Sequence, residues 1–581
     1  MKKILWKIGG EAGMGIMTSG LAFSKLASRS GYYVFDYIEY PSLIRGGHNA
    51  FEAVFSHDVV HGLKRQVDYL VCLNKQTYEL NKTRLEPQAC VVFDGGEFQP
   101  EEVGTNIDVP FKKILHELNG EGVMKNTIAL GASTALLGGD LQTLLTIIET
   151  QFGKKGKEVI QFNQTFARAG YEYVTKNHSN KIRPILAKQN NPARQVVLTG
   201  NDAFSLGAVI ADCRLYASYP MTPSSSVLTT MAAWQDKTGS VVRHAEDEIA
   251  VINTAIGSSF AGIRSAVGTS GGGFALMVET VSLAGVTEIP IVIFLSQRPG
   301  PATGMPTWTE QGDLLFAVHA GHGEFPKIVL APGDAEEMVE LTMKAFNLAD
   351  IYQTPVIVIT DMSLSESHKT LLEGDLNGLI KRYTIDRGKI VPTPSAPVYL
   401  RYKRSDDGIS EMLIPGKKGY FYQANSYEHL EDGHTTEDSL PRTEQVDKRN
   451  KKMQTYLRDH LESPKVYGDF EKSQVVFVSW GSVKGPVLEA MRLLQEQGTQ
   501  VSFIHFTHIY PLSSQEITPM FPRDKRYILI ENNSHAQFGK LLRQETGIQI
   551  EEKLLKYDGR PFWSEEIVEY VKNSLHRDGK D

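Results

Sequence analysis

The sequence predicts an α/β protein built from three parallel-sheet domains, and three observations carry that reading. Apolar runs of strand length repeatedly end in glycine-rich turns that lead into helix-like segments. Polar, proline-containing stretches divide these repeats into blocks. At 581 residues the chain is too long for one hydrophobic core, so two to four domains are expected. Apolar residues make up 41% and charged residues 22%, which excludes a disordered or fibrous chain. The net charge is −7 with no long basic run, so nucleic-acid binding is not expected. The longest strongly apolar run, Ile289–Leu295, lies close to Glu279 and Glu288, so no membrane span is expected.

The first block, residues 1–180, opens on the strand Ile4–Ile8, which Lys7 and Gly9 interrupt before a secretory signal could form. A glycine turn, a helix over Ile16–Ala27 and strands at Tyr33–Phe35, Tyr69–Leu73 and Cys90–Phe93 follow. Residues 181–195 read as a polar linker. The second block, 196–375, repeats the strand, turn and helix rhythm over Val196–Ala211, Ile263–Gly285 and Ile289–Gly304, with Asn201 and Asp202 as helix-cap candidates. Residues 376–467 form a charge-dense connector, and residues 468–581 return to alternating strands and helices. The three cysteines, Cys72, Cys90 and Cys213, contain no CxxC; this rules out a disulfide framework or a four-thiolate cluster and favours a reducing, cytoplasmic setting.

Several motifs have the chemistry of sites. In Gly9-Gly10-Glu11-Ala12-Gly13-Met14-Gly15, the residues Gly10, Gly13 and Gly15 allow close approach of a phosphate to a helix N-terminus. Asp36 lies where a ribose-binding acid would fall, so a nicotinamide-dependent dehydrogenase is one reading and a tight ligand-free turn another. Arg45-Gly46-Gly47-His48-Asn49 suggests a shaped loop at an interface. Tyr219-Pro220-Met221-Thr222-Pro223-Ser224-Ser225 is a proline-stiffened turn that presents the Thr222 hydroxyl where open α/β sheets bind ligands, its serines capping the next helix. Glu246-Asp247-Glu248 opens a helix of small residues and brings one acid close to buried surface. Gly268-Thr269-Ser270-Gly271-Gly272-Gly273 is a second turn suited to backbone contact with a ligand, and Arg298 follows a strand where a cation suits a carboxylate. Glu428–His434 has no metal-ligand spacing, so no metal is expected there; it reads as a solvated connector that touches a neighbouring subunit.

Together these pieces resemble the 2-oxoacid:ferredoxin oxidoreductases, thiamine-diphosphate enzymes that decarboxylate 2-oxo acids onto coenzyme A. GGEAGMG and Ser42–Asn49 resemble the family's gamma subunit. GNDAFSLGA, YPMTPSS, EDEIA, TSGGGFALM and GPATGMPTWTEQGDL resemble its alpha subunit, so the chain is similar to a gamma–alpha fusion. The resemblance implies a gamma-type domain, a thiamine-diphosphate pyrimidine-binding domain and a transketolase C-terminal-like domain. It implies Glu248 as the carboxylate on the cofactor's aminopyrimidine, with Glu246 as the fallback, and Tyr219, Pro220, Gly271 and Gly272 as further cofactor contacts. Thr222 and Arg298 would hold the 2-oxo acid, and Gly10, Gly13 and Gly15 would border coenzyme A. Mg²⁺ and a [4Fe-4S] cluster are expected in a beta partner, ferredoxin as the electron acceptor, and (alpha-beta)₂ as the assembly. The fused arrangement most resembles the 2-oxoglutarate type, with pyruvate or branched-chain acids as alternative substrates. Trp308 weakens that choice, because an indole cannot pair with a distal carboxylate as a basic residue would. A non-catalytic scaffold subunit is the remaining alternative.

Overall fold

The computed structural model describes residues 3–42, 46–101, 104–187 and 193–578. Leu43, Ile44 and Arg45 of the Ser42–Asn49 motif, and residues 188–192 of the expected linker, lie outside the described residues. The chain divides into two compact units: Met1–Leu198 with Glu366–Asn377 and Trp563–Asp581, and Thr199–Ser365 with Gly378–Phe562.

The first unit is organised on an eight-stranded sheet in which Ile4–Glu11 lies between Val67–Cys72 and His48–Ser56. Val67–Cys72 runs parallel to Ile4–Glu11, as the strand–helix rhythm requires. His48–Ser56 runs antiparallel between Ile4–Glu11 and Tyr33–Glu39. The apolar pattern of that strand is interrupted by Glu52, which is buried and bridged by Lys7 at 2.7 Å and Arg84 at 2.7 Å. Burial alone would raise the Glu52 carboxyl, but the two cations hold it down at about 2.

Among the described residues the second unit carries two large sheets and a two-stranded pair, Ile390–Val391 with Met412–Leu413. In the seven-stranded one, Val241–His244, Leu215–Ser218, Ser265–Thr269, Ile291–Gln297, Pro355–Asp361 and Ile328–Leu330 are successive parallel neighbours, and His508–Tyr510 closes one edge antiparallel. Strands buried on both faces account for the near-continuous apolar run at Ile289–Leu295. The five-stranded sheet centres on Val475–Trp480, parallel to Val501–Phe506 and Arg526–Glu531. The helix Gly200–Ile210 is capped by Thr199 rather than by Asn201 or Asp202. Asp202 instead completes a capping box, its carboxylate accepting from the Thr199 amide.

The connector is not a solvated run. Its helix Ser439–Asp459 buries Gln445, Lys448, Arg449, Lys452, Thr455 and Tyr456, a helical stripe made almost wholly of polar residues. Lys448 and Lys452 both reach the buried Glu288, at 2.6 Å each. Arg401 adds hydrogen bonds to the Glu288 carbonyl and the Gln353 side chain. In the acidic run expected to face solvent, His429 is buried, lies 3.7 Å from the Tyr402 ring centre, and shares a 3.1 Å hydrogen bond with the Val286 carbonyl. Glu428 is paired with Arg449 at 2.7 Å and with Arg442. Breaking a buried ion pair by deleting one partner costs about 3–5 kcal/mol. Glu288→Ala should therefore lower the thermal midpoint sharply, followed by circular dichroism on heating. An unchanged midpoint would mean that Lys448 and Lys452 are not held by that carboxylate.

Candidate active site

Four of the motifs leave the C-terminal ends of four neighbouring strands of the seven-stranded sheet. Ser218 pairs with His244 and with Gly268, and Thr269 pairs with Leu295. Tyr219–Thr222, Ala245–Glu248, Ser270–Gly273 and Arg298 are thus brought to one edge by register alone, the edge where open parallel sheets bind ligands. The Tyr219–Ser225 turn is anchored from below by Asn201, whose amide donates to the Pro223 carbonyl at 2.8 Å and to Ser226 at 2.6 Å. Tyr219 and Pro220 are exposed and Thr222 is half-buried. Ser224 stands at the helix N-cap but turns its hydroxyl back to the Met221 carbonyl, so it does not cap the helix by its side chain.

The helix expected to open at Glu246 opens at Glu248. Asp247 is the N-cap, accepting from the Ala250 amide at 2.7 Å, and Glu246 stands exposed before it. Glu248 is 4% exposed, and its Oε1 is buried with no hydrogen-bond partner. A carboxylate oxygen in that state costs free energy unless a ligand supplies a donor. It lies against Gly273, where a Cβ would come 2.5 Å from Glu248 Oε1 and 2.2 Å from Thr269 Oγ1. Sequence reasoning singled out Gly271 and Gly272; Gly273 is the glycine that admits the carboxylate. Gly272 is exposed with open space around it, while a Cβ on Gly271 would come 2.3 Å from Asp313 Oδ2.

Arg298 is half-buried and donates to the Thr222 carbonyl at 2.9 Å, so the two residues expected to hold a carboxylate are joined. Asp313 was missed as a site residue although its TEQGDL motif was visible. Its amide donates to Gln297 Oε1 at 2.8 Å, which sets it beside the strand that ends at Arg298. Burial pushes the Asp313 carboxyl up to about 6, with Arg298 pulling the other way, and burial and Asp313 together raise Glu310.

Gly10, Gly13 and Gly15 lie in the first unit. Gly13 and Gly15 both take left-handed φ, +88° and +70°. The Gly15 backbone approaches Asn126 so closely that a Cβ would fall 1.9 Å from its Nδ2, which donates to the Met14 carbonyl at 2.8 Å. Asp36 cannot serve as a ribose acceptor. It is fully buried and spends its carboxylate on Ser24 Oγ at 2.7 Å and on the His368 amide and ring at 2.8 and 3.0 Å.

Two family models match: pyruvate ferredoxin/flavodoxin oxidoreductase over residues 5–173, and the thiamine-diphosphate-binding pyruvate flavodoxin/ferredoxin oxidoreductase domain over residues 206–448. A 2-oxoacid:ferredoxin oxidoreductase alpha subunit from Sulfolobus sp. is 32% identical over 98% of this chain and 96% of its own length. This chain is an alpha subunit of the 2-oxoacid:ferredoxin oxidoreductase family. The 2-oxoglutarate synthase subunit KorA of Methanothermobacter thermautotrophicus is 30% identical over 64% of this chain and 97% of its own length. The 2-oxoglutarate:ferredoxin oxidoreductase of Magnetococcus marinus, solved with 2-oxoglutarate, coenzyme A and succinyl-CoA bound, superposes with a TM-score of 0.89 at 32% identity and covers 99% of each chain. The chain is therefore an oxidoreductase subunit with a thiamine-diphosphate-binding domain, in a family whose enzymes are assembled from several subunits. Among the described residues no helix is long and apolar enough to cross a membrane.

Asp313 gives a pH dependence with a definite sign. Below about 6 its carboxyl is protonated and neutral; above about 6 it ionises and adds a negative charge near Arg298. In the assembled oxidoreductase, KM for an anionic 2-oxo acid should rise as pH is raised through about 6. Asp313→Asn should flatten that rise in steady-state kinetics.

Proposed function

We propose that the chain is the catalytic alpha subunit of a coenzyme A-dependent 2-oxoglutarate:ferredoxin oxidoreductase. The reaction converts 2-oxoglutarate, coenzyme A and oxidised ferredoxin to succinyl-CoA, CO₂ and reduced ferredoxin, and it runs in either direction. The observation that carries the site is the buried, unpartnered Oε1 of Glu248 against Gly273. Residues 1–180 act as the gamma-type domain, 196–375 as the pyrimidine-binding domain and 468–581 as the transketolase C-terminal-like domain, with 181–195 as linker and 376–467 as connector. The preference for 2-oxoglutarate is supported by the likeness to the Magnetococcus enzyme and to KorA. Pyruvate and branched-chain acids are the alternative substrates.

Bound thiamine diphosphate supplies the carbanion chemistry by which a 2-oxo acid loses CO₂. Glu248 fits the aminopyrimidine because a buried acceptor without a donor can hold a proton at the ring nitrogen that faces it. Tyr219 and Pro220, with Gly271 and Gly272 across the sheet edge, border the cofactor. Thr222 and Arg298 hold the substrate's carboxylate and carbonyl, with the guanidinium already oriented by its bond to the Thr222 backbone. Gly10, Gly13 and Gly15 border coenzyme A. The complementary half of the site, Mg²⁺ and a [4Fe-4S] cluster belong to a beta partner, in an (alpha-beta)₂ assembly that reduces ferredoxin in the cytoplasm.

The test uses this chain purified with its cluster-bearing partner, thiamine diphosphate and Mg²⁺. Viologen reduction is followed with 2-oxoglutarate, pyruvate and a branched-chain 2-oxo acid, each with and without coenzyme A. Coenzyme A-dependent reduction with 2-oxoglutarate preferred is expected. Glu248→Gln should lower kcat by about 100-fold or more, the scale of a lost proton-transfer group, without lowering the thermal midpoint. Arg298→Ala should raise KM for the oxo acid. Unchanged kinetics in both variants would remove the site from this position.

A further inference from the structure

The loop that begins at Arg298 is short, compact and bound at its far end to the C-terminal segment. The Met305 amide donates to the Pro299 carbonyl at 3.0 Å, folding the loop back beside Arg298. The Trp308 amide donates to the Met305 carbonyl at 3.2 Å, and the Thr309 amide to the Gly559 carbonyl at 3.1 Å. The neighbour of Gly559 in sequence is Arg560, whose Cζ lies 3.2 Å from the centre of the Trp308 ring. Trp308 has no charge of its own, yet a guanidinium lies over its ring.

Two properties of that guanidinium point to a ligand. A cation stacked on an indole face loses rotational freedom but keeps its in-plane N–H donors, the arrangement that engages a carboxylate through two parallel bonds. Arg560 spends only Nη1, in a long 3.3 Å bond to the Asp558 carbonyl, and it is half-buried. Neither Arg560 nor Arg298 forms an ion pair with an Asp or Glu side chain among the described residues. Arg298 stands at the start of the loop with only Asp313 as a charged neighbour, and Arg560, from a later segment, lies over Trp308 near the loop's far end.

We infer that Arg560, held on Trp308, binds the second carboxylate of a dicarboxylic 2-oxo acid whose first carboxylate lies on Arg298. The inference rests on the 2-oxoglutarate reading above and assigns a specificity-determining residue to the same site. On this assignment Trp308 supports the dicarboxylate reading: it does not supply the cation but holds it in place.

The experiment compares the wild-type complex with Arg560→Gln and Arg560→Lys complexes, using 2-oxoglutarate and the monocarboxylate 2-oxobutyrate as substrates. A lost charge-assisted bond is worth a ~10- to 100-fold change in affinity. Arg560→Gln should raise KM for 2-oxoglutarate by that factor, leave KM for 2-oxobutyrate unchanged, and weaken calorimetric binding of glutarate without affecting butyrate. Arg560→Lys should recover part of the loss, because it restores the charge without the planar fork. Equal effects on both substrates, or none on either, would overturn the assignment while leaving the 2-oxoglutarate reading intact. A wild-type complex that oxidises only monocarboxylates would overturn both. If Arg560→Gln fails to assemble, the Arg560→Lys ratio of the two KM values decides: a ratio equal to wild type counts against the inference.

Discussion

Glu248 can be buried at the sheet edge only because residue 273 has no side chain, and much of the site follows from that contact. The three glycines from Gly271 to Gly273 open a helix of 17 residues whose N-cap, Ser270, makes no side-chain cap. Two carboxyl groups crowd that opening, Glu248 against Gly273 and Asp313 against Gly271. The free amides and positive end of the helix offset part of the cost of placing acids there. Burial still separates their roles. Glu248 keeps an oxygen without a donor, while burial pushes Asp313 toward its neutral form against the pull of Arg298.

The five-stranded sheet is tied to the loop after Arg298 chiefly by the Gln311 side chain, with Gln537 bonding the Gly312 carbonyl and the Leu315 amide. Gln311 Nε2 donates to the Trp480 carbonyl at 3.1 Å, and its Oε1 accepts from the Asn532 amide at 2.9 Å. The Gln311 backbone bonds Asn532 through its amide at 2.7 Å and Asn533 through its carbonyl at 3.1 Å. Every polar atom of a buried residue is thus used on the second sheet, a saturated arrangement that fixes a loop better than apolar packing would. The loop from Arg298 to Asp313 is therefore a strap between two sheets, and its conformation depends on residues far along the chain.

The α/β class and the motif-bearing strand ends were legible because buried parallel strands are apolar almost without interruption and their ends are marked by glycine or proline. Thr222 and Arg298 stand after such strands, whereas Glu248 follows the largely exposed strand Val241–His244 and was singled out by the family resemblance. Three kinds of feature were not legible. His48–Ser56 was missed because Glu52 breaks its apolar pattern, and the partners that make Glu52 tolerable, Lys7 and Arg84, are remote in sequence. The helix Ser439–Asp459 was not recognised within the charge-dense connector because its buried stripe consists largely of Gln, Lys, Arg and Thr. Asp36 fell at a suggestive spacing, but spacing does not reveal that Ser24 and His368 already occupy its carboxylate.

The connector also completes the electrostatics of the site helix. Gly271–Thr287 meets carboxyl groups at its first turn and hydrogen-bonding side chains of the connector at its last. His429 bonds the Val286 carbonyl, Arg401 bonds the Glu288 carbonyl, and Lys448 and Lys452 converge on the Glu288 side chain at the left-handed C-cap. At the negative end Lys448, Lys452 and Arg401 outnumber the Glu288 carboxylate, and a surplus of cations there is what a helix dipole favours. Burying two lysines and an arginine around one carboxylate is costly on its own, and burial pulls Lys448 down to about 7 and Lys452 to about 8. That cost is reasonable for a helix whose opposite end must hold Gly273 in place against a buried acid. A helix of 17 residues spans about 25 Å, which is the distance that separates these charges from Gly273.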